Sequence, residues 1–294
     1  MTPEPRLEGL LPLNKPVGSS SHDMVALARR RLGIRRVGHT GTLDPFALGL
    51  LLLCLNRATR LVEYMHPLPK EYLATALLGV STTTDDPEGE LTATSDAWRG
   101  LAWLELARAL DGFLGTFDQR PPDYSAKKVR GEAAYSRARR GEAQSLDAVP
   151  VTVHRIELVA MELPRIRFRV RCSTGTYVRS LARDLGERLG TGAHLTALER
   201  TAIGPVQLGD ALSPADLDDP GRVRRALIPP LDAISHLPRV DVEPEVARRL
   251  EQGRTVAFPS RAGGDCAVAC RGRLVAIART APAGLRPRKV FPRA

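Results

Sequence analysis

The chain has 294 residues, of which 43% are hydrophobic and 26% charged, a composition that excludes a disordered chain, a fibrous repeat and a coiled coil. The longest near-continuous apolar run covers residues 48–55, far short of the roughly 20 residues that a membrane-spanning helix needs. The N-terminal sequence MTPEPRLEG lacks the basic and apolar regions of a signal peptide, so we expect a cytoplasmic protein that does not enter a membrane.

The charge balance is strongly basic. Lys and Arg together number 43 against 33 Asp and Glu, which gives a formal net charge of +10. A basic surface attracts polyanions, because each phosphate that it contacts releases counterions. The charge therefore favours nucleic acid over a membrane as the partner.

The first predicted helix lies near the N-terminus. The serines at 19–21 can cap it, and Val25, Ala28 and Leu32 then share one helical face. Gly33 is placed to end this helix, because glycine adopts the left-handed conformation common after a helical C-terminus.

Loop and strand patterns follow this helix. A glycine-rich loop, VGHTGTLDPFALG, covers residues 37–49, and a buried strand is predicted over 50–55. Residues 71–80 form a second strand pattern, and residues 81–90 are rich in the Thr, Asp, Pro and Gly of turns.

The later patterns mix helix and strand. Apolar residues keep helical spacing from Trp103 to Leu114. Residues 165–172, RIRFRVRC, alternate strictly between apolar residues and arginine, as expected of a strand with one buried and one solvated face. Residues 176–190 return to helical spacing. Because these patterns follow no regular βαβ rhythm, they predict an α+β fold.

The segment 118–145 contains little material for a core. Between residues 120 and 140 it carries seven basic residues against two acidic ones, together with Tyr124 and Tyr135. The segment can be a solvated loop, or it can be a basic arm that lies on phosphates with aromatic rings for stacking. From this stretch alone, both interpretations stay open.

A domain boundary is expected near residues 230–240, where prolines cluster. The remaining residues, 239–294, carry short apolar pieces separated by Gly and Pro, which suits a small β module. Such a short module buries a limited core, so we expect it to lean on the main domain.

The sequence lacks the common cofactor and metal motifs. It has no P-loop, dinucleotide fingerprint, HExxH or GxSxG pattern. Cys54 and Cys172 lie in core-like segments, and the pair Cys266 and Cys270 lacks the four ligands of a zinc site. We therefore expect neither a metal nor a cofactor.

Asp44 is the residue whose position in the sequence best suits a catalytic role. It lies in a tight loop flanked by glycines, which let a backbone approach a ligand closely. A carboxylate there can serve as a nucleophile or base, but it can also form an Asx turn or cap a helix.

Several motifs resemble the bacterial tRNA pseudouridine synthase B family. They recur in order over essentially the whole chain: LNKPVGSSS at 13–21, GHTGTLDP at 38–45, CLNRATRL at 54–61, KEYLATALLG at 70–79, PPDYSAKKVRGEAAYSRARRG at 121–141, CSTGTYVRSLARDLGERLGTGAHL at 172–195 and GLRPRKVF at 284–291.

The resemblance implies a fold and a reaction. The fold is an α+β pseudouridine synthase core with a mixed sheet over residues 1–236, with an RNA-clasping insertion at about 118–145, followed by a PUA-type RNA-binding domain over 237–294. The reaction is the conversion of uridine 55 in the tRNA T loop to pseudouridine by base flipping, without cofactor or metal. The expected partner is the T stem-loop of tRNA, with no obligate protein partner and a monomeric state.

The resemblance also implies three catalytic residues. Asp44 matches the aspartate that attacks, or takes a proton from, the ribose, and Arg179 matches its arginine partner. A guanidinium can hold a carboxylate in a bidentate pair, and we expect this pairing to lower the pKa of Asp44. Tyr72 matches the tyrosine that stacks on the target base and places its hydroxyl for proton transfer at carbon 5.

Other positions match RNA-binding roles in the family. His39 corresponds to a histidine that enters the T loop as the target base leaves the stack, and Lys15 and Leu198 correspond to residues lining the pocket. The insertion contributes a further set of candidate RNA contacts: Tyr124, Lys127, Lys128 and Arg130.

Four residues depart from the family pattern without removing a predicted catalytic group: Leu48, Asn56, Arg60 and Thr83.

Two other functions compete with the enzyme: a non-catalytic tRNA-binding protein and the catalytic subunit of a guide-RNA-directed complex. The trio Asp44, Tyr72 and Arg179 favours an enzyme, because a pure binder would not need it. The absence of long basic tails favours a stand-alone protein.

Overall fold

The computed structural model describes residues 7–122, 128–129, 132–133, 147–259 and 263–292. The strands are β1 (Gly9–Lys15), β2 (Val37–His39), β3 (Leu48–Leu55), β4 (Lys70–Leu78), β5 (Val80–Thr82), β6 (Leu91–Thr94), β7 (Gly115–Gln119), β8 (Lys128–Val129), β9 (Glu132–Ala133), β10 (Val149–Glu162), β11 (Arg165–Cys172), β12 (Ala193–Ile203), β13 (Val206–Gln207), β14 (Arg239–Asp241), β15 (Asp265–Cys270), β16 (Arg273–Ala281) and β17 (Gly284–Val290). The α-helices are α1 (Ser21–Leu32), α2 (Val62–Met65), α3 (Trp103–Asp111), α4 (Val178–Arg188), α5 (Pro220–Ala226), α6 (Pro230–Ala233) and α7 (Pro244–Glu251).

The main sheet is mixed. Its central path runs β1-β3-β12-β4-β11-β10-β7, and β2 and β13 pair with β3 and β12. The β3–β12 pair is parallel, whereas β12–β4 and β4–β11 are antiparallel. This arrangement, with helices packed on the sheet, confirms the predicted α+β class with a mixed sheet.

Helix α1 begins and ends where the sequence predicts. The Ser20 hydroxyl accepts from the backbone N–H of Asp23, and the Asp23 carboxylate accepts from the backbone N–H of Ser20, which completes a capping box. Gly33 ends the helix in the left-handed conformation, with φ of 64°. The buried side chains Met24 and Val25 pack in the cluster formed with alternate leucines of β1 and β3.

Strand β11 forms over the predicted residues. Ile166, Phe168 and Val170 are buried, whereas the arginines between them lie on the more exposed face. The buried face packs against α4 through Leu181 and Leu185. This cluster is the core beneath the candidate active site.

The C-terminal residues form a second sheet, in the order β14-β15-β16-β17. Its residues Ala267, Ile277 and Phe291 pack in one cluster with Leu50 and Leu52 of the main sheet. The two sheets therefore share buried apolar contacts. The boundary at residues 236 and 237 and the PUA-type assignment stay predictions.

Asn56 explains one of the departures from the family pattern. Its φ is 53°, in the left-handed region that glycine adopts freely and that asparagine tolerates better than most residues. Its side-chain amide donates to the carbonyl of Leu7 at 2.7 Å. An asparagine can therefore stand where glycine is usual, and its side chain adds a hydrogen bond.

No helix within the described ranges is long and apolar enough to cross a membrane.

Candidate active site

A cavity of about 280 Å³ opens beside the glycine-rich loop between β2 and β3. This size is just below the roughly 300–1,000 Å³ typical of small-molecule sites and suits a single small planar group. The lining residues come from four parts of the chain: residues 40–44, His66 with Lys70 and Tyr72, residues 173–179, and Leu198 with Arg200.

Asp44 lies in the wall of this cavity. Its backbone carbonyl accepts from the N–H of Ala47 at 3.1 Å in a tight turn. The Oδ2 atom of Asp44 is 3.0 Å from Nε of Arg179. The Asp44 side chain is 38% exposed, so the carboxylate is paired and still accessible from the cavity.

Arg179 links this carboxylate to a second one. It lies in the first turn of α4 and its side chain is 5% exposed. Its Nη1 atom is 3.0 Å from Oδ2 of Asp86 and donates to the carbonyl of Thr84 at 2.9 Å. The buried Asp86 also accepts from the Thr84 hydroxyl and from the N–H of Glu88. The contacts with Asp86 and Thr84 therefore fix the Arg179 guanidinium while it pairs with Asp44.

The pKa of Asp44 differs from the sequence-based expectation. Burial raises the pKa above the ordinary 3.8 of aspartate and outweighs the opposing effect of Arg179. Pairing was expected to lower it, but the same packing that brings Arg179 close also removes water from the carboxyl group.

Tyr72 faces the cavity from β4. Its side chain packs on the core cluster shared with α4, which places the ring in the cavity wall. Burial raises the pKa of the Tyr72 hydroxyl, and the nearby Arg200 opposes this rise. The hydroxyl therefore stays protonated at neutral pH and can donate or exchange a proton only with a positioned partner.

Lys70 was not recognised as a site residue. It begins β4, lines the cavity and donates from Nζ to the carbonyl of His66 at 2.6 Å. Burial lowers the pKa of Lys70 to about 8. Its place two residues before Tyr72 was a usable signal, because alternate residues of a strand share one face.

The remaining predicted pocket residues occupy different places. Leu198 lines the cavity. Lys15 is fully buried behind the loop, where Nζ donates to the carbonyls of Ser19 at 2.7 Å and Pro16 at 3.0 Å. These hydrogen bonds hold the ammonium of Lys15 against loop carbonyls, and its assignment to the pocket stays a prediction. Burial also lowers its pKa to about 8.

His39 ends β2, immediately before the first lining residue of the cavity. Its Nδ1 atom accepts from the N–H of Gly41 at 3.3 Å, and its ring contacts that of His22 edge to face, with 5.9 Å between centroids. Burial lowers the pKa of His39, so the ring is neutral at pH 7. A neutral planar ring beside the cavity is compatible with the predicted role against RNA bases.

The side chains of the four RNA-contacting residues predicted in the insertion are not among those that the structure describes. Tyr124, Lys127 and Arg130 lie outside the described residues, and for Lys128 only the backbone strand is described.

Two further lining residues, Tyr177 and Arg200, were not singled out from the sequence. The backbone of Tyr177 exchanges hydrogen bonds with the buried side-chain amide of Gln119, at 2.8 and 3.1 Å, which fixes the loop before α4. Arg200 follows Leu198 by two residues on β12, so strand alternation could have indicated that both face the cavity.

The architecture is shared with solved ribonucleoprotein components. A chain of an H/ACA ribonucleoprotein bound to a substrate RNA containing 2′-deoxyuridine superposes with a TM-score of 0.77 at 25% identity, covering 98% of this chain and 86% of that one. A chain of a Cbf5-Nop10-Gar1 complex gives 0.77 at 27% identity, covering 97% and 85%.

Comparison of the sequence with family models identifies the class of protein. Residues 29–178 match the N-terminal domain of the TruB family pseudouridylate synthases, and residues 179–234 match the C-terminal domain of tRNA pseudouridylate synthase B. The fold and the matching family models together are those of a pseudouridine synthase.

Curated relatives make the assignment more specific. A tRNA pseudouridine synthase B of Geobacillus thermodenitrificans is 41% identical, with 86% of this chain and 87% of the relative covered. One of Arthrobacter is 41% identical, with 97% of both covered. The chain belongs to the TruB family, and its activity is the isomerisation of a tRNA uridine to pseudouridine.

Proposed function

We propose that the chain isomerises uridine 55 in the T loop of tRNA, with Asp44 as the residue that acts on the ribose. The observation that carries this proposal is the arrangement of Asp44, Arg179 and Tyr72 around one cavity of about 280 Å³. The order of motifs that resemble the family supports the choice of uridine 55.

The reaction needs no net change in atoms or electrons. The bond between N1 of uracil and C1′ of ribose breaks, the base rotates, and a bond forms between C5 and C1′. The product carries a proton at N1 and has lost one from C5. The Asp44 carboxylate acts on the ribose, while Arg179 fixes its direction through the contact at 3.0 Å. Tyr72 lies against the base and mediates proton transfer at C5.

The raised pKa of Asp44 fits this role. A carboxylate with less water around it is more basic and more nucleophilic, and burial raises the pKa of Asp44 in this sense. Arg179 and the buried Asp86 prevent it from rotating away. The site therefore preorganises a carboxylate oxygen of Asp44.

The target nucleotide must leave its stack to reach Asp44. The carboxylate lies in the wall of a cavity, and a base held in a helix or a stacked loop cannot bring its ribose there. Extrusion costs a few kcal/mol, which a planar side chain offsets in part when it fills the gap. His39, next to the cavity, is the residue we assign to that position.

RNA binding draws on two basic regions outside the cavity. The insertion at 118–145 carries Tyr124, Lys127, Lys128 and Arg130, and we assign it to clasping the T stem-loop. The C-terminal sheet, within the proposed PUA-type domain at 237–294, presents the exposed Arg286 and Arg288 on β17. Phosphate contacts of this kind fix the position of the RNA, whereas the cavity selects the nucleotide.

The enzyme we propose is stand-alone, monomeric and cytoplasmic, and the identities support its being stand-alone over the subunit of a guide-RNA complex. Identity to bacterial enzymes named as single proteins is 41%, against 25–27% to the chains of the ribonucleoproteins. The test is activity of the purified chain with no added RNA or protein other than the tRNA.

Carbodiimide-dependent primer extension on an unmodified tRNA transcript tests the proposed reaction. We expect one new stop, at position 55, with the wild-type protein. We expect none with Asp44→Asn or with a transcript that carries cytidine at position 55. A stop at a different uridine would overturn the site specificity, and full activity of Asp44→Asn would overturn the role of Asp44.

A further inference from the structure

Arg200 occupies the point where three strands of the main sheet meet. It lies on β12 and is 1% exposed, although it is one of the largest side chains in the core. It pairs with Tyr72 of β4 on one side and with Gly49 of β3 on the other. It thus stands between the strand that carries Tyr72 and the strand that follows the Asp44 loop.

The guanidinium binds the chain on both sides of Asp44. Its Nε atom donates to the carbonyl of Leu50 at 2.7 Å, in the strand after the loop. Nη2 donates to the carbonyl of Gly41 at 3.1 Å and Nη1 to that of Thr42 at 3.4 Å, in the loop itself. These three acceptors surround Asp44 in sequence, so the planar fork of Arg200 holds the loop at its base.

The backbone at this point leaves no room for adjustment. Gly49 has φ of 104°, and a Cβ atom there would lie 2.5 Å from the carbonyl oxygen of Arg200. Only glycine permits this approach of β3 to β12. Because the backbone of Arg200 is fixed, its side chain can hold the loop in a constant position relative to the sheet.

Arg200 is also a neighbour of Tyr72, another residue of the candidate site. Arg200 lies opposite Tyr72 in the register of β12 and β4, and its positive charge opposes the rise in the pKa of the Tyr72 hydroxyl that burial causes. It also lines the cavity, between Leu198 and the loop. One buried cation therefore binds the loop that carries Asp44 and lines the same cavity as Tyr72, its partner in the neighbouring strand.

We propose that Arg200 is a positioning residue, which sets the distance and direction between the carboxylate of Asp44 and the hydroxyl of Tyr72. The proposal rests on the roles proposed above for those two residues. The positive charge of Arg200 also lowers the pKa of Tyr72 against the effect of burial, so its removal should make the hydroxyl harder to deprotonate.

The test is a comparison of Arg200→Met and Arg200→Lys with wild type. Single-turnover rates at saturating enzyme are measured across pH, together with filter binding of the same tRNA. Arg29→Met is the matched control, because Arg29 also donates to a backbone carbonyl, that of Val37 at 3.0 Å, but does not line the cavity. Circular dichroism establishes that each variant is folded.

For Arg200→Met we expect the saturated rate to fall by about 100-fold or more, since misplacement by about 1 Å can cost that much. The tRNA dissociation constant should stay within about threefold, and the pH–rate limb that Tyr72 controls should move to higher pH. Arg200→Lys keeps the charge but lacks the fork, so it should retain the limb position and lose about 10-fold in rate. Arg29→Met should match wild type.

A folded Arg200→Met with a wild-type rate would overturn the proposal, and so would a loss of rate with an unchanged pH profile. If Arg200→Met does not fold, Arg200→Lys decides: a wild-type rate would reject the positioning role. Failure of the proposed function is recognised separately, because the wild-type protein itself would then give no product at position 55.

Discussion

Replacing Arg179 by methionine should destabilise the protein through Asp86 more than through Asp44. Arg179 bridges the two carboxylates at 3.0 Å each, but their side chains differ in exposure, at 5% for Asp86 and 38% for Asp44. Without the guanidinium, Asp44 keeps contact with water, whereas Asp86 becomes a buried charge that has lost its cation.

The magnitude follows from this difference in burial. Removing one partner of a buried ion pair typically costs about 3–5 kcal/mol, whereas an exposed pair contributes about 0–1 kcal/mol. We expect the loss for Arg179→Met to lie in the first range, which corresponds to a fall in Tm of roughly 10 °C. Adding Asp86→Asn removes the uncompensated charge. The double variant should therefore lose about 1–3 kcal/mol less than the sum of the single losses.

Urea unfolding of wild type, both single variants and the double variant measures this cycle. Arg239→Met supplies the control, because the ion pair of Arg239 with Asp241 is 52% and 62% exposed and its loss should cost under about 1 kcal/mol. Additive single effects, within about 0.5 kcal/mol, would refute the reasoning. A loss for Arg179→Met no larger than that for Arg239→Met would refute it as well.

Four further outcomes are expected. Asp44→Asn should fold and bind tRNA in filter assays but form no detectable pseudouridine, because it lacks the charged oxygen. The single-turnover rate should be present at neutral pH and fall on acidification with a midpoint above 3.8, because burial raises the pKa of Asp44; a midpoint at or below 3.8 would contradict this. His39→Ala should slow the reaction without abolishing it, and complete loss would reject its assignment to base extrusion. The tRNA dissociation constant should rise by roughly 10³ between about 50 and 200 mM salt, since several phosphates are neutralised, and a flat response would remove the electrostatic argument.

Local signals determined part of this protein from its sequence alone. The ends of α1 follow from Ser20 and Gly33, because capping depends on residues within one turn. The alternation in RIRFRVRC predicted β11 over the residues where it occurs, because strand periodicity is also local. Asp44, Tyr72 and Arg179 were identified as candidates through the family resemblance, since periodicity alone did not distinguish Asp44 from a turn residue.

Strands with irregular patterns were not predicted. β12 pairs with β4 through two register shifts, and β10 pairs with β11 through two more, so their alternation is broken. β1 consists almost entirely of buried residues and shows no alternation. Such segments become recognisable as strands only when their neighbours in the sheet are known.

The chemistry of the site was decided by the tertiary structure. Arg179 meets Asp86 across 93 residues of sequence, and Arg200 meets Leu50 across 150. Burial reversed the expected direction of the pKa of Asp44, and packing leaves Lys15 without exposed surface. A sequence shows which groups can carry charge, but their distances and their access to water arise only when distant segments pack together, and these two quantities set the energy of a charge.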